Sequence, residues 1–235
     1  MKIKILIPVY NDWKSVSKLL DGINNLSVDP KFQISIIIVN DASNHDRQEE
    51  DKNLDNIFSI KILNMKVNQG HARCIAAGLK YIYEKEDFDY VIPMDGDGED
   101  RPEEIKEFTK QIEVSNTKPI VGSRVRRSES LLFQICYKIH KLITFTFTGQ
   151  SIKFGNFTCL PKSTVEKMIN EKATWNSFSG SLTKVEKDLL SMPSTRGTRY
   201  FGPSKMSFYN LIKHSLSIIS VFRKTFLIRS ALFII

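Results

Sequence analysis

The feature that most constrains the fold is an alternation, through residues 2–124, of short β-branched apolar runs with longer stretches whose apolar residues recur every three or four positions. "KIKILIPV" (2–9) reads as a buried strand, and the following "DWKSVSKLLDGINNL" sets Trp13, Val16, Leu19, Leu20, Ile23 and Leu26 on one helical face. "FQISIIIVND" (32–41), "SIKILNM" (59–65), "FDYVIPM" (88–94) and "KPIVGSR" (118–124) predict four more strands. "HARCIAAGLKYIYEKE" and "RPEEIKEFTKQIEV" read as helices, the first with small residues for close packing and the second begun by Pro102. The pattern predicts an α/β fold: a mostly parallel sheet with helices on both faces.

In an open parallel sheet the ligand crevice lies beyond the carboxyl ends of the strands. Pro8, Tyr10, Asn11 and Asp12 follow the first strand, Asn40, Asp41 and Ser43 close the second, and "NMKVNQGHAR" follows the third. The fourth runs into "MDGDGED", where Asp95, Asp97, Glu99 and Asp100 fall within six positions. Like charges so close need full solvation or a cation. Asp95 and Asp97 flank Gly96, so a tight turn can bring both carboxylates onto one hard ion. The alternative is a solvated acidic loop at a helix start, and Asp100 is expected to serve there as a cap.

The 235 residues, 41 % apolar, suit one domain with a small appendage. A net charge of +8 suits a polyanionic partner, and the basic residues concentrate in the second half. Three dispersed cysteines, Cys74, Cys136 and Cys159, fit neither a zinc site nor a disulfide framework and point to a reducing compartment. The start lacks a signal-peptide pattern, so a cytoplasmic location is expected. From 206 onward apolar residues interleave with cations, too often interrupted for the roughly 18 apolar residues of a spanning helix. This stretch reads as an amphipathic helix at a membrane surface, with Phe208, Leu211, Ile212, Leu216, Ile219 and Phe222 inward and Lys213, Arg223, Lys224 and Arg229 toward lipid phosphates.

"ILIPVYND", "IIIVNDAS", "NQGHARCIAAG" and "MDGDGEDRPEE", in this order and at these distances, resemble family 2 glycosyltransferases of the GT-A fold. Within them the likeness is greatest to dolichyl- and undecaprenyl-phosphate sugar transferases, whose pattern at the metal motif is roughly D-x-D-L-Q-D-P-P-E. It covers residues 1 to about 125 and continues more weakly through "GSRVRR", "IKFGNFTCLPKSTVEKM" and "RYFGPSK". The resemblance implies a GT-A domain over 1–205, with 206–235 as the tail. It also implies inverting, metal-dependent transfer from a nucleoside-diphosphate sugar to a polyprenyl phosphate, at the cytoplasmic face of the membrane. Mg²⁺ or Mn²⁺ is expected on Asp95, Asp97 and Glu99. Donor contacts are expected from Pro8, Tyr10, Asp12, Asp41, Arg73, Asp95, Arg199 and Lys205, and Arg124 joins Asp95 and Asp97 as catalytic. This chain departs from the family at Asp12 (usually Glu), Gly98 (Leu), Glu99 (Gln), and at Asn156 and Thr158, where G-D-F-R-L-L has an acid and an arginine.

A saccharide hydroxyl is the alternative acceptor. It needs a carboxylate base, for which Glu186 and Asp188 are the candidates. A nucleotidyltransferase would want a lysine- or glycine-rich phosphate loop near the N-terminus, which is absent. A decayed transferase acting as a scaffold is the non-enzymatic alternative. No nucleic-acid-reading module is recognisable. Homo-oligomerisation stays open.

Overall fold

The structure is a computed structural model that describes residues 1–45, 53–115, 117–124, 142, 144–146, 148–202 and 216–232. In chain order its elements are β1 (Lys2–Val9), α1 (Trp13–Asn24), β2 (Gln33–Asn40), β3 (Ser59–Asn64), α2 (His71–Lys85), β4 (Tyr90–Pro93), a 3₁₀ turn (Pro102–Glu104), α3 (Ile105–Ser115) and β5 (Ile120–Arg124). There follow β6 (Phe154–Pro161), α4 (Lys162–Asn170), α5 (Phe178–Val185), β7 (Leu190–Ser194) and α6 (Arg223–Leu232).

The strands form one seven-stranded sheet in the order β3-β2-β1-β4-β6-β5-β7. β1 is parallel to β2 and β4, and β2 to β3. β6 runs antiparallel between β4 and β5, and β7 is parallel to β5. One edge of the sheet therefore collects the carboxyl ends of six strands together with the amino end of β6. The reversed strand brings Asn156 to that edge, the rim, and it inserts beside β4 in a way no local sequence period reveals.

Because strand side chains alternate between faces, β1 feeds two cores. Ile3, Ile5, Ile7 and Val9 pack with Val16, Leu19 and Ile23 of α1 and Ile105, Phe108 and Ile112 of α3. Leu6 packs on the other face with Cys74, Ile75, Leu79 and Ile82 of α2 and Val165 and Met168 of α4. Gly78 lets α2 approach the sheet: a Cβ there would stand 2.3 Å from a Leu6 methyl. At the end of the sheet away from the rim, Lys4 Nζ donates to Glu86 Oε2 at 2.9 Å, and Lys61 Nζ to its Oε1 at 2.6 Å.

The tail corrects part of its helical-wheel expectation. Ile218 and Val221 are buried, and Val221 packs over Gly180 of α5. Leu216, expected inward, is 60 % exposed, while Arg229, expected outward, donates to the carbonyls of Phe145 (3.4 Å) and Thr146 (3.1 Å). Helix-end carbonyls attract a guanidinium as lipid phosphates would, so charge alone does not tell the two environments apart. Arg223 and Lys224 are exposed as expected, together with Leu227 and Ile228. Phe208, Leu211, Ile212 and Lys213 lie outside the described residues. No helix among the described residues is long and apolar enough to cross a membrane.

Candidate active site

At the first half of the rim Asp41 is buried, and its carboxylate closes the loop before α2. Oδ1 accepts the Gln69 N–H at 2.7 Å and Oδ2 the Gly70 N–H at 2.8 Å. Gly70 sits at φ +89°, in the left-handed region, and starts α2 at His71. Asn11, at φ 50°, is tied to the β2 loop: its N–H donates to Ser43 Oγ at 2.9 Å, and its side-chain oxygen accepts the Asn44 N–H at 2.8 Å. These links enclose a cavity of about 80 Å³ lined by Pro8, Val9, Tyr10, Asp41, His71 and Cys74. Beyond Gln69 a hollow of about 560 Å³ opens between Asn64, Met65, Lys66, Val67, Arg73 and Trp175. That size is in the range of small-molecule sites.

In the second half, the acidic loop is strapped down by residues 194–201. Ser194 Oγ and the Thr195 N–H donate to Glu104 at 2.6 and 2.7 Å, the Gly197 N–H to Glu99 O at 2.8 Å, and the Tyr200 N–H to Asp97 O at 2.9 Å. Arg196 pairs with Glu99. Arg199 Nη1 donates to Asp97 Oδ2 at 2.6 Å and Nη2 to Asp12 Oδ2 at 3.2 Å. Tyr200 lies flush on Gly98, which has φ +89°, and a Cβ at Gly98 would stand 2.7 Å from its ring. The glycine that departs from the family pattern thus makes room for an aromatic side chain and does not loosen the loop. Lys18 stands 4.8 Å over the same ring.

Burial raises the Asp97 pKa, the charge of Asp95 raises it further, and Arg199 and Arg196 oppose both. Asp95 Oδ1 faces His71 Nε2 at 3.2 Å, and the same ring nitrogen lies 2.7 Å from Asn156 Nδ2. Partial desolvation lowers the His71 pKa, although 45 % of the side chain is exposed, and the carboxylates of Asp95, Asp97 and Asp41 outweigh it and raise it overall.

The expected site residues divide accordingly. Pro8, Tyr10 and Asp41 share the small cavity, and Arg73 lies in the larger hollow, where its Nη1 donates to Gln69 Oε1 at 2.6 Å. Asp12, expected at the nucleoside, is joined through Arg199 to Asp97. Glu99, expected on the metal, turns to Arg196 because that guanidinium reaches it from the strap. Among the described residues no group of three or more His, Cys, Asp or Glu side chains is gathered for a metal. Asp100, expected as a helix cap, has Oδ2 accepting the Asp95 N–H at 2.9 Å, which tightens the acidic turn on itself. Arg124 ends β5 at the rim, beside Ser194. Its side chain, and Lys205 altogether, lie outside the described residues.

Glu186 and Asp188 are at the other end of the sheet. Glu186 accepts from Thr164 Oγ1 of α4 at 2.7 Å, and Asp188 pairs with Lys118, which precedes β5. Sequence reasoning missed Arg196 and Tyr200, placed Asn11 at the rim without a role, and left His71 evenly divided between a surface and a functional histidine. No local signal marks 196–199 as a strap, since Arg199 and its partner Asp97 stand 102 positions apart.

Residues 4–176 match the family model described as Glycosyl transferase family 2. The chain is 26 % identical over 226 residues to undecaprenyl-phosphate 4-deoxy-4-formamido-L-arabinose transferase of Proteus mirabilis (strain HI4320), covering 90 % of this chain and 64 % of that protein. The protein of the same name from Klebsiella pneumoniae (strain 342) is 26 % identical over 227 residues, with coverages of 90 % and 64 %. The chain thus spans somewhat less than two-thirds of these relatives' length. Among solved structures, it superposes on glucosyl-3-phosphoglycerate synthase from Mycobacterium tuberculosis, in complex with Mn²⁺, UDP and glucosyl-3-phosphoglycerate, with a TM-score of 0.67 at 12 % identity, covering 95 % of this chain and 79 % of that one. It also superposes on mannosyltransferase PcManGT from Pyrobaculum calidifontis, in complex with GDP-Man and Mn²⁺, with a TM-score of 0.54 at 12 % identity, covering 97 % and 73 %. At these identities the likeness is one of fold, and the mixed sheet with helices on both faces is the GT-A architecture. With the family model covering most of its length and four rim motifs in register, the chain belongs to glycosyl transferase family 2.

Proposed function

We propose that this protein transfers a sugar, with inversion, from a nucleoside-diphosphate sugar to a polyprenyl phosphate. The observation that carries the choice of acceptor is the state of the rim carboxylates. Every one described is already engaged: Asp12 and Asp97 by Arg199, Asp41 by two backbone N–H groups, Asp95 by His71, Glu99 by Arg196 and Asp100 by the Asp95 N–H. A saccharide hydroxyl needs a base to remove its proton, whereas a phosphate monoester is already ionised near neutral pH. Glu186 and Asp188 point to other partners at the far end of the sheet. The undecaprenyl-phosphate transferases that the chain resembles favour the same acceptor.

In this reading Tyr10 and Pro8 wall the nucleoside and Asp41 fixes the loop against which it rests, with Arg73 in the adjoining hollow. Asp95 and Asp97 offer hard carboxylate oxygens on either side of Gly96 and would hold Mg²⁺ or Mn²⁺. When bound, that ion offsets the charge building on the leaving diphosphate. Arg199 exchanges Asp97 for a diphosphate oxygen, Lys205 joins it as a donor contact, and Arg124 attracts the diphosphate or the acceptor phosphate. Residues 1–205 form the transferase domain. The tail, 206–235, turns Arg223, Lys224, Leu227 and Ile228 to the cytoplasmic membrane surface where the acceptor resides.

A thermal-shift panel of UDP-, GDP- and dTDP-sugars tests the donor half. One donor should raise the melting temperature when Mn²⁺ is present, and the rise should vanish in Asp97→Ala. A panel in which no donor shifts the wild-type protein overturns the reading.

A further inference from the structure

His71 and Asn156 meet at the centre of the rim, and neither is used by the mechanism above. They arrive from opposite directions, His71 as the first residue of α2 and Asn156 from the reversed strand β6. The ring's position is specified from behind. Asp41 takes the Gln69 and Gly70 N–H groups, Gly70 turns the chain at positive φ, and the next residue is His71. From the front, Asn156 lies 2.7 Å from Nε2, and the amide can meet that nitrogen with either its oxygen or its NH₂, according to the tautomer. With a proton on Nε2 and the amide oxygen turned to it, that N–H also faces Asp95 Oδ1, 3.2 Å away.

The Asp95 backbone is fixed by Asp100, but its carboxylate, next to Gly96, keeps side-chain rotational freedom that a metal ligand must lose. Partners outside the coordination sphere commonly remove it. We propose that His71 is a positioning residue that holds Asp95 in its cation-binding orientation, with Asn156 as the brace that sets the imidazole. The proposal rests on the reading of Asp95 and Asp97 as cation ligands. It accounts for an amide at position 156, since a carboxamide oxygen can accept from the protonated Nε2 while adding no further negative charge beside Asp95 and Asp97.

The test is the affinity of the full chain for Mn²⁺ alone, measured by electron paramagnetic resonance of the free ion, in wild type, His71→Ala, His71→Gln, Asn156→Leu and Asp95→Asn. Replacing His71 by Ala should weaken Mn²⁺ binding about ten- to a hundredfold. Gln, which keeps an N–H at similar reach, should recover most of it, and Asn156→Leu should weaken binding in the same direction by less. Melting temperatures of the metal-free proteins should stay together. Wild-type Mn²⁺ affinity in a folded His71→Ala protein, or a Gln variant as weak as Ala, overturns the role of His71 alone. If His71→Ala fails to fold, Asn156→Leu and His71→Gln decide by the same criteria. Wild-type protein with no Mn²⁺ binding that Asp95→Asn removes overturns the cation reading itself, and this proposal with it.

Discussion

Arg199 Nη1 and Asp97 Oδ2 stand 2.6 Å apart although 102 positions separate them in the chain. The guanidinium, with 16 % of its side chain exposed, also reaches Asp12, so one cation balances two carboxylates of the rim. A divalent ion on Asp97 has to compete with it. Arg199→Gln should therefore bind Mn²⁺ alone about tenfold more tightly, equivalent to ~1.4 kcal/mol, while its affinity for a nucleotide-sugar falls by a similar factor through loss of a charge-assisted phosphate contact. Calorimetric titration of each ligand separately checks this. Weakened Mn²⁺ binding in the variant would mean that Arg199 assists the ion and does not oppose it.

Gly98 and Tyr200 form a lock-and-lid pair in which the ring fills the space that a side chain at 98 would need. Restoring the family's residue with Gly98→Leu should cost about 1–3 kcal/mol by overpacking, with further strain from φ +89°. Combining it with Tyr200→Ala should return part of that loss, a coupling of the kind a double-mutant cycle in urea resolves. Strict additivity would show that the two residues do not share the space.

Lys4 and Glu86, their side chains 8 % and 7 % exposed, pair at the end of the sheet away from the rim. Glu86→Gln leaves the buried Lys4 charge without its carboxylate and should destabilise by about 3–5 kcal/mol, while Lys4→Met should cost less, since Lys61 still pairs with Glu86. The Lys4→Met, Glu86→Leu pair should cost less than Glu86→Gln alone. Because the pair is remote from the rim, Mn²⁺ affinity of the folded fraction should be untouched in all three.

Cys74 lies under Asp41, and burial first, then the Asp41 charge, push its thiol up to about 12. The folded protein keeps that proton after an unfolded thiol, at 9.0, has lost it. The associated stability is full below pH 9.0 and is lost as pH rises toward 12. At pH 8 iodoacetamide should leave Cys74 and the equally buried Cys159 unmodified in native protein and alkylate both in urea, read by site-resolved mass spectrometry. Rapid native labelling of Cys74 would show that the loop over it opens.

The strands and helices up to residue 124 were legible because each is decided by local period. The expected strands at 2–9, 32–41, 59–65, 88–94 and 118–124 correspond to β1–β5 within a residue or two, except for a shorter β4. β6 and the strap were not legible, since the pairing of Asn156 with His71 and of Arg199 with Asp97 spans 85 and 102 positions. Pairing at that range is fixed by the sheet order, which no single segment encodes. The acidic loop was read as a cation site, but which of its carboxylates are tied to arginines depends on where residues 194–201 return. The same limit explains Arg229, whose carbonyl partners in Phe145 and Thr146 come from another element.

The most direct test of the account is transfer itself. The 235-residue chain is incubated with radiolabelled nucleotide-sugars, Mn²⁺ or Mg²⁺ and undecaprenyl phosphate, and label is followed into the organic phase. The account predicts a lipid-linked, acid-labile sugar that forms from one donor, requires the divalent ion and disappears in Asp97→Ala with the fold intact. Label that enters only a saccharide, or lipid product that forms equally well in chelator, would contradict it.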